Sequence, residues 1–164
     1  MLQQLKSVWL VCLFFSFSVL TTGKDITQLE QQLSMMPDDT AKIRVLLELG
    51  SYYCYSEADK ALLYLQEALV LSTRLDFVKG VSRSYFWQGK AFYYKDQYTM
   101  ATQYNEKARV LFEETEDWDG MMIYQIFSGN INDLTGNYPK AIRSYQNAIE
   151  ISKKMDNPQN LYLS

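Results

Sequence analysis

The sequence contains no histidine. That removes the most frequent general acid–base side chain and the commonest metal ligand together. Cysteine is nearly absent as well, with Cys12 and Cys54 the only two. Cys12 lies in the N-terminal apolar run, so a chain that has lost that run keeps Cys54 alone and forms no internal disulfide. Cys54 then reads as a small buried helix residue. No GxxxxGK[ST] phosphate loop occurs, and the glycines stand singly. The acidic runs "FEETEDWD" and "PDD" lack calcium-loop spacing, and they read as solvated helix ends and caps. Basic stretches are missing, and the formal net charge is −3, so the chain lacks the electrostatic footprint of a nucleic-acid binder. The expectation is a protein that is not an enzyme, holds no metal or cofactor and binds no nucleic acid.

Long hydrophobic runs are also lacking. The longest, Val8 to Leu20, covers 13 residues, short of the roughly 20 that span a bilayer comfortably. It follows Lys6, the only charge in the first 23 residues, and precedes Thr21 and Gly23. Small residues at those two places suit cleavage before Lys24. This three-part pattern predicts a signal peptide over 1–23 and export, with the mature chain periplasmic or membrane-associated in the cell envelope.

What is present is repetition. Ala61, Ala101 and Ala141 fall at intervals of forty, as do Ala68, Ala108 and Ala148, and Leu71, Leu111 and Ile151. Gly80 with Gly120, and Gly89 with Gly129, keep the same interval. A fixed period of this size means one supersecondary unit stacked on copies of itself. Within a unit, Ala61, Leu62, Leu65, Ala68, Leu69, Ser72 and Leu75 lie on one face of a 3.6-residue helix, and Ala141, Ile142, Tyr145, Ala148, Ile149, Ser152 and Met155 repeat the offsets. The alanines are the positions where a neighbouring helix comes close, because overpacking such a contact costs about 1–3 kcal/mol. Glu106, between packing positions, is expected to face water. The turns "CYSEAD", "YKDQY" and "LTGNYP" close the first helix of each unit. Asp76, Asp117 and Asn157 are candidate N-caps for the helices that follow, and "PDDT" for the helix from Ala41. No strand pattern competes. Most of the 13 tyrosines fall at helical packing positions.

These residues resemble the tetratricopeptide repeat family. "LLELGSYY" with "KALLYLQEAL" carries Leu46, Leu49, Gly50, Tyr53, Ala61, Leu65 and Ala68 at the family's positions. The second unit offers Tyr85, Gly89, Phe92, Ala101 and Ala108, and the third Gly129, Ala141, Tyr145 and Ala148. The period of forty exceeds the family's usual length of about 34, which implies longer second helices. The stretch "PDDTAKIRVLLELGSYYCYSEADKAL" further resembles the exported repeat region of bacterial membrane sensors, in which a transmembrane helix and a kinase or DNA-binding regulator follow.

The resemblance implies an all-α, right-handed α-solenoid. Its parts are a half-unit over 24–40, three repeats over about 41–78, 79–118 and 119–158, and the start of an incomplete fourth at 159–164. It further implies a non-enzymatic interaction module, the sensory or binding segment of a signal transducer. Rival readings are a free exported scaffold, or an appendage of an enzyme whose catalytic domain lies beyond Ser164. In the family, first helices line a concave groove that takes a protein or peptide partner. Transfer by position places Arg44, Leu47 and Ser51 there from the first unit; Arg83, Phe86, Lys90 and Tyr93 from the second; and Ile126, Asn130 and Asp133 from the third. Asn130 resembles the asparagine of members that clamp a peptide carboxylate, although their companion basic residues are absent here.

Overall fold

The computed structural model describes residues 26–156. The leader, Asn157 and the start of a fourth unit lie outside the described residues. Within them the chain is all-α, with seven helices and no strand. They are α1 (Ile26–Leu33), α2 (Thr40–Tyr53), α3 (Ala58–Arg74), α4 (Val78–Tyr94), α5 (Tyr98–Glu114), α6 (Trp118–Leu134) and α7 (Tyr138–Asp156). Each packs on its sequence neighbour, and α2 also reaches α4. None is long and apolar enough to cross a membrane.

The period of forty splits into two backbone periods of twenty. Helices start at Ala58, Val78, Tyr98, Trp118 and Tyr138, and all the joints between them are three residues long. A short joint forces antiparallel neighbours. Each of these joints places its middle residue in the left-handed region: Asp76 (φ 50°), Asp96 (58°), Glu116 (50°) and Gly136 (76°). Two hydrogen bonds accompany each one. Asp76 N–H donates to Thr73 C=O and Phe77 N–H to Ser72 C=O. The same pairs recur at Asp96 and Gln97, at Glu116 and Asp117, and at Gly136 and Asn137. This is the Schellman arrangement, which satisfies carbonyls that a helix end otherwise leaves bare. Only Gly136 occupies the strained backbone position without steric cost.

The N-cap expectations divide. Asp39 accepts from Ala41 N–H and Lys42 N–H at 2.8 and 3.0 Å. Asp117 accepts from Gly120 N–H at 2.8 Å. Asp76 does not cap α4: it is the left-handed C-terminal residue of the α3 joint, and Phe77 precedes α4 without a side-chain cap.

Packing follows the small residues. Ala61, Ala68, Ala101 and Ala108 have no exposed surface, and Ala141 and Ala148 are nearly as buried. A Cβ added at Gly50 would lie 2.4 Å from Leu65, and one at Gly129 would lie 2.4 Å from Tyr145, so the two helices of a unit meet where the first has no side chain. Leu75, Ile142 and Ile149 were expected on packed faces but are exposed. Leu75 falls at the end of α3, where the joint turns it outward. Ile142 and Ile149 lie on α7, beyond which no described element packs.

At the N-terminal end, Leu29 is buried and Glu30 pins α1. Lys60 Nζ approaches the Glu30 carboxylate at 2.8 Å, and Tyr53 and Tyr64 hydroxyls donate to it at 2.9 and 2.8 Å. Lys60 also sits 3.8 Å above the Tyr53 ring. These contacts, Lys60 foremost, hold the Glu30 carboxyl below its ordinary pKa. Burial, followed by the bond to Glu30, pushes the Tyr64 hydroxyl up to about 12. A second charged knot joins Asp38 to Lys42 and Arg74.

Candidate functional site

The residues expected in one groove are sorted by the fold into three groups. Phe86, Lys90, Ile126 and Asn130 line a single depression of about 290 Å³ between α4 and α6. Arg83, Tyr93 and Arg44 do not line it. The forty-residue step explains Arg44, because Lys90 maps onto Gly50 and Asn130 whereas Arg83 maps onto Ile43 and Ile123. Arg44 thus stands one residue out of register with Arg83, and it points to solvent from α2. Tyr93 is half-buried, with its ring 5.6 Å from Phe127 and 5.8 Å from Tyr98.

Arg83 is engaged internally. Its Nη2 donates to Asp117 Oδ2 at 2.9 Å, and its guanidinium lies 5.1 Å from the Phe112 ring. Phe86 belongs to the core, with 7% of its surface exposed, and its ring meets Phe127 edge-on at 5.7 Å. It forms the floor of the depression. Of the Arg83–Phe86–Lys90–Tyr93 stripe, Phe86 and Lys90 line the depression, whereas Arg83 is tied to Asp117 and Tyr93 packs on Phe127.

Lys90 has an unusual setting. Its ammonium lies 5.1 Å from the Phe127 ring and 5.5 Å from the Tyr94 ring. No carboxylate pairs with it among the described residues. Burial pushes its pKa down, and the neighbouring Cys54 opposes that only in part. Cys54 is itself fully buried, its thiol pushed up to about 12 by burial, which makes it an inert structural thiol. Across the depression, Asn130 Oδ1 accepts from the Tyr145 hydroxyl at 2.8 Å. That bond fixes the amide and leaves its N–H₂ as donor. Chemically, the depression offers a desolvated cation, an amide donor and an apolar wall.

Tyr55, Trp87, Ile123 and Phe127 complete the lining and were not read from the sequence. Tyr55 sits in the turn after α2, where helical spacing carries no information. Ile123 is recoverable, since the forty-residue step from Arg83 reaches it. The described residues contain no group of His, Cys, Asp or Glu side chains that could hold a metal ion. Compared with known proteins, the chain matches no protein-family description and no curated protein.

Proposed function

We propose that the chain is a tetratricopeptide-like solenoid segment that binds a protein partner through its first helices, without catalysis. The observation that carries this reading is Lys90, a half-buried cation with aromatic neighbours and no carboxylate partner, facing Asn130 across an apolar depression. A desolvated charge without a counter-ion is costly, and an acidic group on a partner offsets that cost. Phe127 and Ile126 then meet an apolar side chain next to the acid. The repeat of forty residues and the alternating antiparallel helices support a regular stack, since identical joints add identical turns, and its right-handed sense rests on the sequence resemblance. Export to the cell envelope and a place in a signal transducer rest on the leader and on the sequence resemblance.

The test is selection of peptides from a randomised display library by the full chain. Enriched sequences should pair an acidic residue with an adjacent apolar one. Their binding should fall about tenfold with Lys90→Glu, since a charge-assisted bond is worth roughly 1.5–3 kcal/mol. It should also weaken as salt rises. Enriched peptides without acid, or full binding to Lys90→Glu with Ile126→Asp, overturn the assignment of this face.

A further inference from the structure

A second concavity of about 570 Å³ lies between α5, α6 and α7, on a different face of α6 from the Lys90 depression. Its origin is visible by stepping back forty residues. The equivalent positions there are Leu62, Leu65, Phe92 and Tyr104: Leu65 is fully buried with Leu62 packed against its cluster, and the Phe92 and Tyr104 rings lie 5.0 Å apart. The corresponding residues of the cleft are Thr102, Asn105, Asn132 and Ser144. Four bulky side chains have become four small polar ones, while Ser84 and Ala91 have become Tyr124 and Ile131, so the wall between α5 and α7 turns hydrogen-bonding and the bulk moves to α6.

This exchange costs stability locally. Asn105 is 1% exposed. Its Nδ2 donates to Ser128 Oγ at 2.9 Å and, more weakly, to Tyr124 C=O at 3.3 Å. Its Oδ1 is buried with no partner. A buried polar atom left unsatisfied needs a reason, and the packed alternative, leucine, stands in the same chain at position 65. Glu106 on the wall is already neutralised, accepting from Tyr124 hydroxyl at 2.6 Å and from Arg109 Nε at 2.8 Å. At the mouth, Met100 and Gln103 of the earlier unit are replaced by Lys140 and Arg143. Neither cation has a carboxylate partner among the described residues.

We propose that this cleft is a binding site for a small polyhydroxylated anion, a sugar acid or a sugar phosphate. Thr102 donates its hydroxyl to Tyr98 C=O and Asn132 one amide hydrogen to Ser128 C=O; the Thr102 oxygen, the Ser144 hydroxyl and the Asn132 Oδ1 with its second amide hydrogen supply the donors and acceptors that ring hydroxyls require. Lys140 and Arg143 hold the carboxylate or phosphate. The volume lies within the ordinary range for small-molecule sites, about 300–1,000 Å³.

The test follows backbone amide resonances of the full chain during titration with glucuronate, glucose 6-phosphate, neutral glucose and sulfate. Saturable shifts at Asn105, Ser128, Asn132 and Ser144 are expected with glucuronate or glucose 6-phosphate, and the stronger of the two identifies the anion. Glucose alone should bind at least about tenfold more weakly, having no charge for Lys140 and Arg143. Asn105→Leu with Ser144→Tyr restores two bulky side chains of the earlier unit, and it should abolish the shifts while raising the melting temperature. Absence of saturation by both anions overturns the proposal. So do equal shifts with sulfate, which mark a bare-anion site, and shifts that persist in the filled variant.

Discussion

Asp117 serves two helices at once: its Oδ2 accepts from Arg83 of α4 at 2.9 Å while its Oδ1 caps α6 through Gly120 N–H at 2.8 Å. Both side chains of the pair are largely shielded from solvent, 22% and 16% exposed. One carboxylate therefore ties the first helices of the second and third units together. Asp117→Ala should lose the cap, worth about 1 kcal/mol, and should leave Arg83 without its anion, worth about 1–3 kcal/mol more. Asp117→Asn keeps an acceptor for Gly120 and should cost clearly less. Denaturant midpoints for the two variants check this, and equal losses would mean that the cap on Gly120 contributes nothing.

The joints carry a second prediction. Glu116 and Gly136 hold equivalent positions with φ of 50° and 76°. A left-handed residue with a Cβ is strained by about 1–2 kcal/mol, while glycine's extra freedom in the unfolded chain subtracts about 0.5–1 kcal/mol. Glu116→Gly should therefore stabilise by roughly 0.5–1 kcal/mol. Gly136→Ala should cost about the same, and by strain alone, since a Cβ there meets nothing within 4 Å. Thermal melts of both variants give the comparison, and shifts of the same sign would contradict it.

Docking of α1 should depend on pH from both sides. The Glu30 carboxyl is depressed below its ordinary value, first by Lys60 and then by Tyr64 and Tyr53. A depressed acid contributes its full stability above the unfolded pKa, near 4.5, and loses it as pH falls through the lower folded value. Tyr64 is raised from 10.0 to about 12, and Lys60 is raised as well, chiefly by Glu30. Their contribution is complete below pH 10 and fades as pH rises through the raised values. Hydrogen exchange of the α1 amides should thus accelerate at both extremes ahead of global unfolding. Glu30→Gln should flatten the acid limb, and an unchanged acid limb in that variant would place its cause elsewhere.

The sequence revealed the helices and the close contacts because both follow side-chain identity. The alanine triplets at 61, 101 and 141 and at 68, 108 and 148 are sterically obligatory, and all six are buried. The twenty-residue backbone period was hidden, since its four equivalent joint residues are Asp, Asp, Glu and Gly and only the last announces a left-handed turn. The Lys90 depression was half visible. Helical spacing placed Arg83, Phe86, Lys90 and Tyr93 on one stripe, but it says nothing of which neighbour covers which member. Phe127 from α6 takes Phe86 and Tyr93 into the core, and Asp117 takes Arg83. Asn105 left a signal that similarity to its repeat partners concealed: a polar residue where the other units carry Leu65 and Tyr145. Reading the units for their differences, rather than their agreement, brings that position forward.

Ala101 is fully buried and its carbonyl lies 3.2 Å from where a Cβ on Gly89 would stand, so α4 and α5 touch through their backbones here. Ala101→Leu should cost about 1–3 kcal/mol through overpacking. Ala141, 3% exposed at the equivalent place on α7, should cost the same or less, because no described element packs beyond α7 and the helix can shift outward. Glu106, expected from its spacing to face water, keeps 47% of its side-chain surface exposed and also accepts the Tyr124 hydroxyl and the Arg109 guanidinium. Glu106→Gln keeps an oxygen for Tyr124 and should cost well under 1 kcal/mol, whereas Glu106→Ala strands a buried hydroxyl at about 1–3 kcal/mol. Gln103, exposed on the same helix, is the neutral control, and Gln103→Glu should stay within about 0.5 kcal/mol of the parent. Denaturant unfolding of the five variants orders them. If Glu106→Ala matches Gln103→Glu, the Tyr124 hydroxyl has found another acceptor, and the polar wall between α5 and α6 is not held together as the structure draws it.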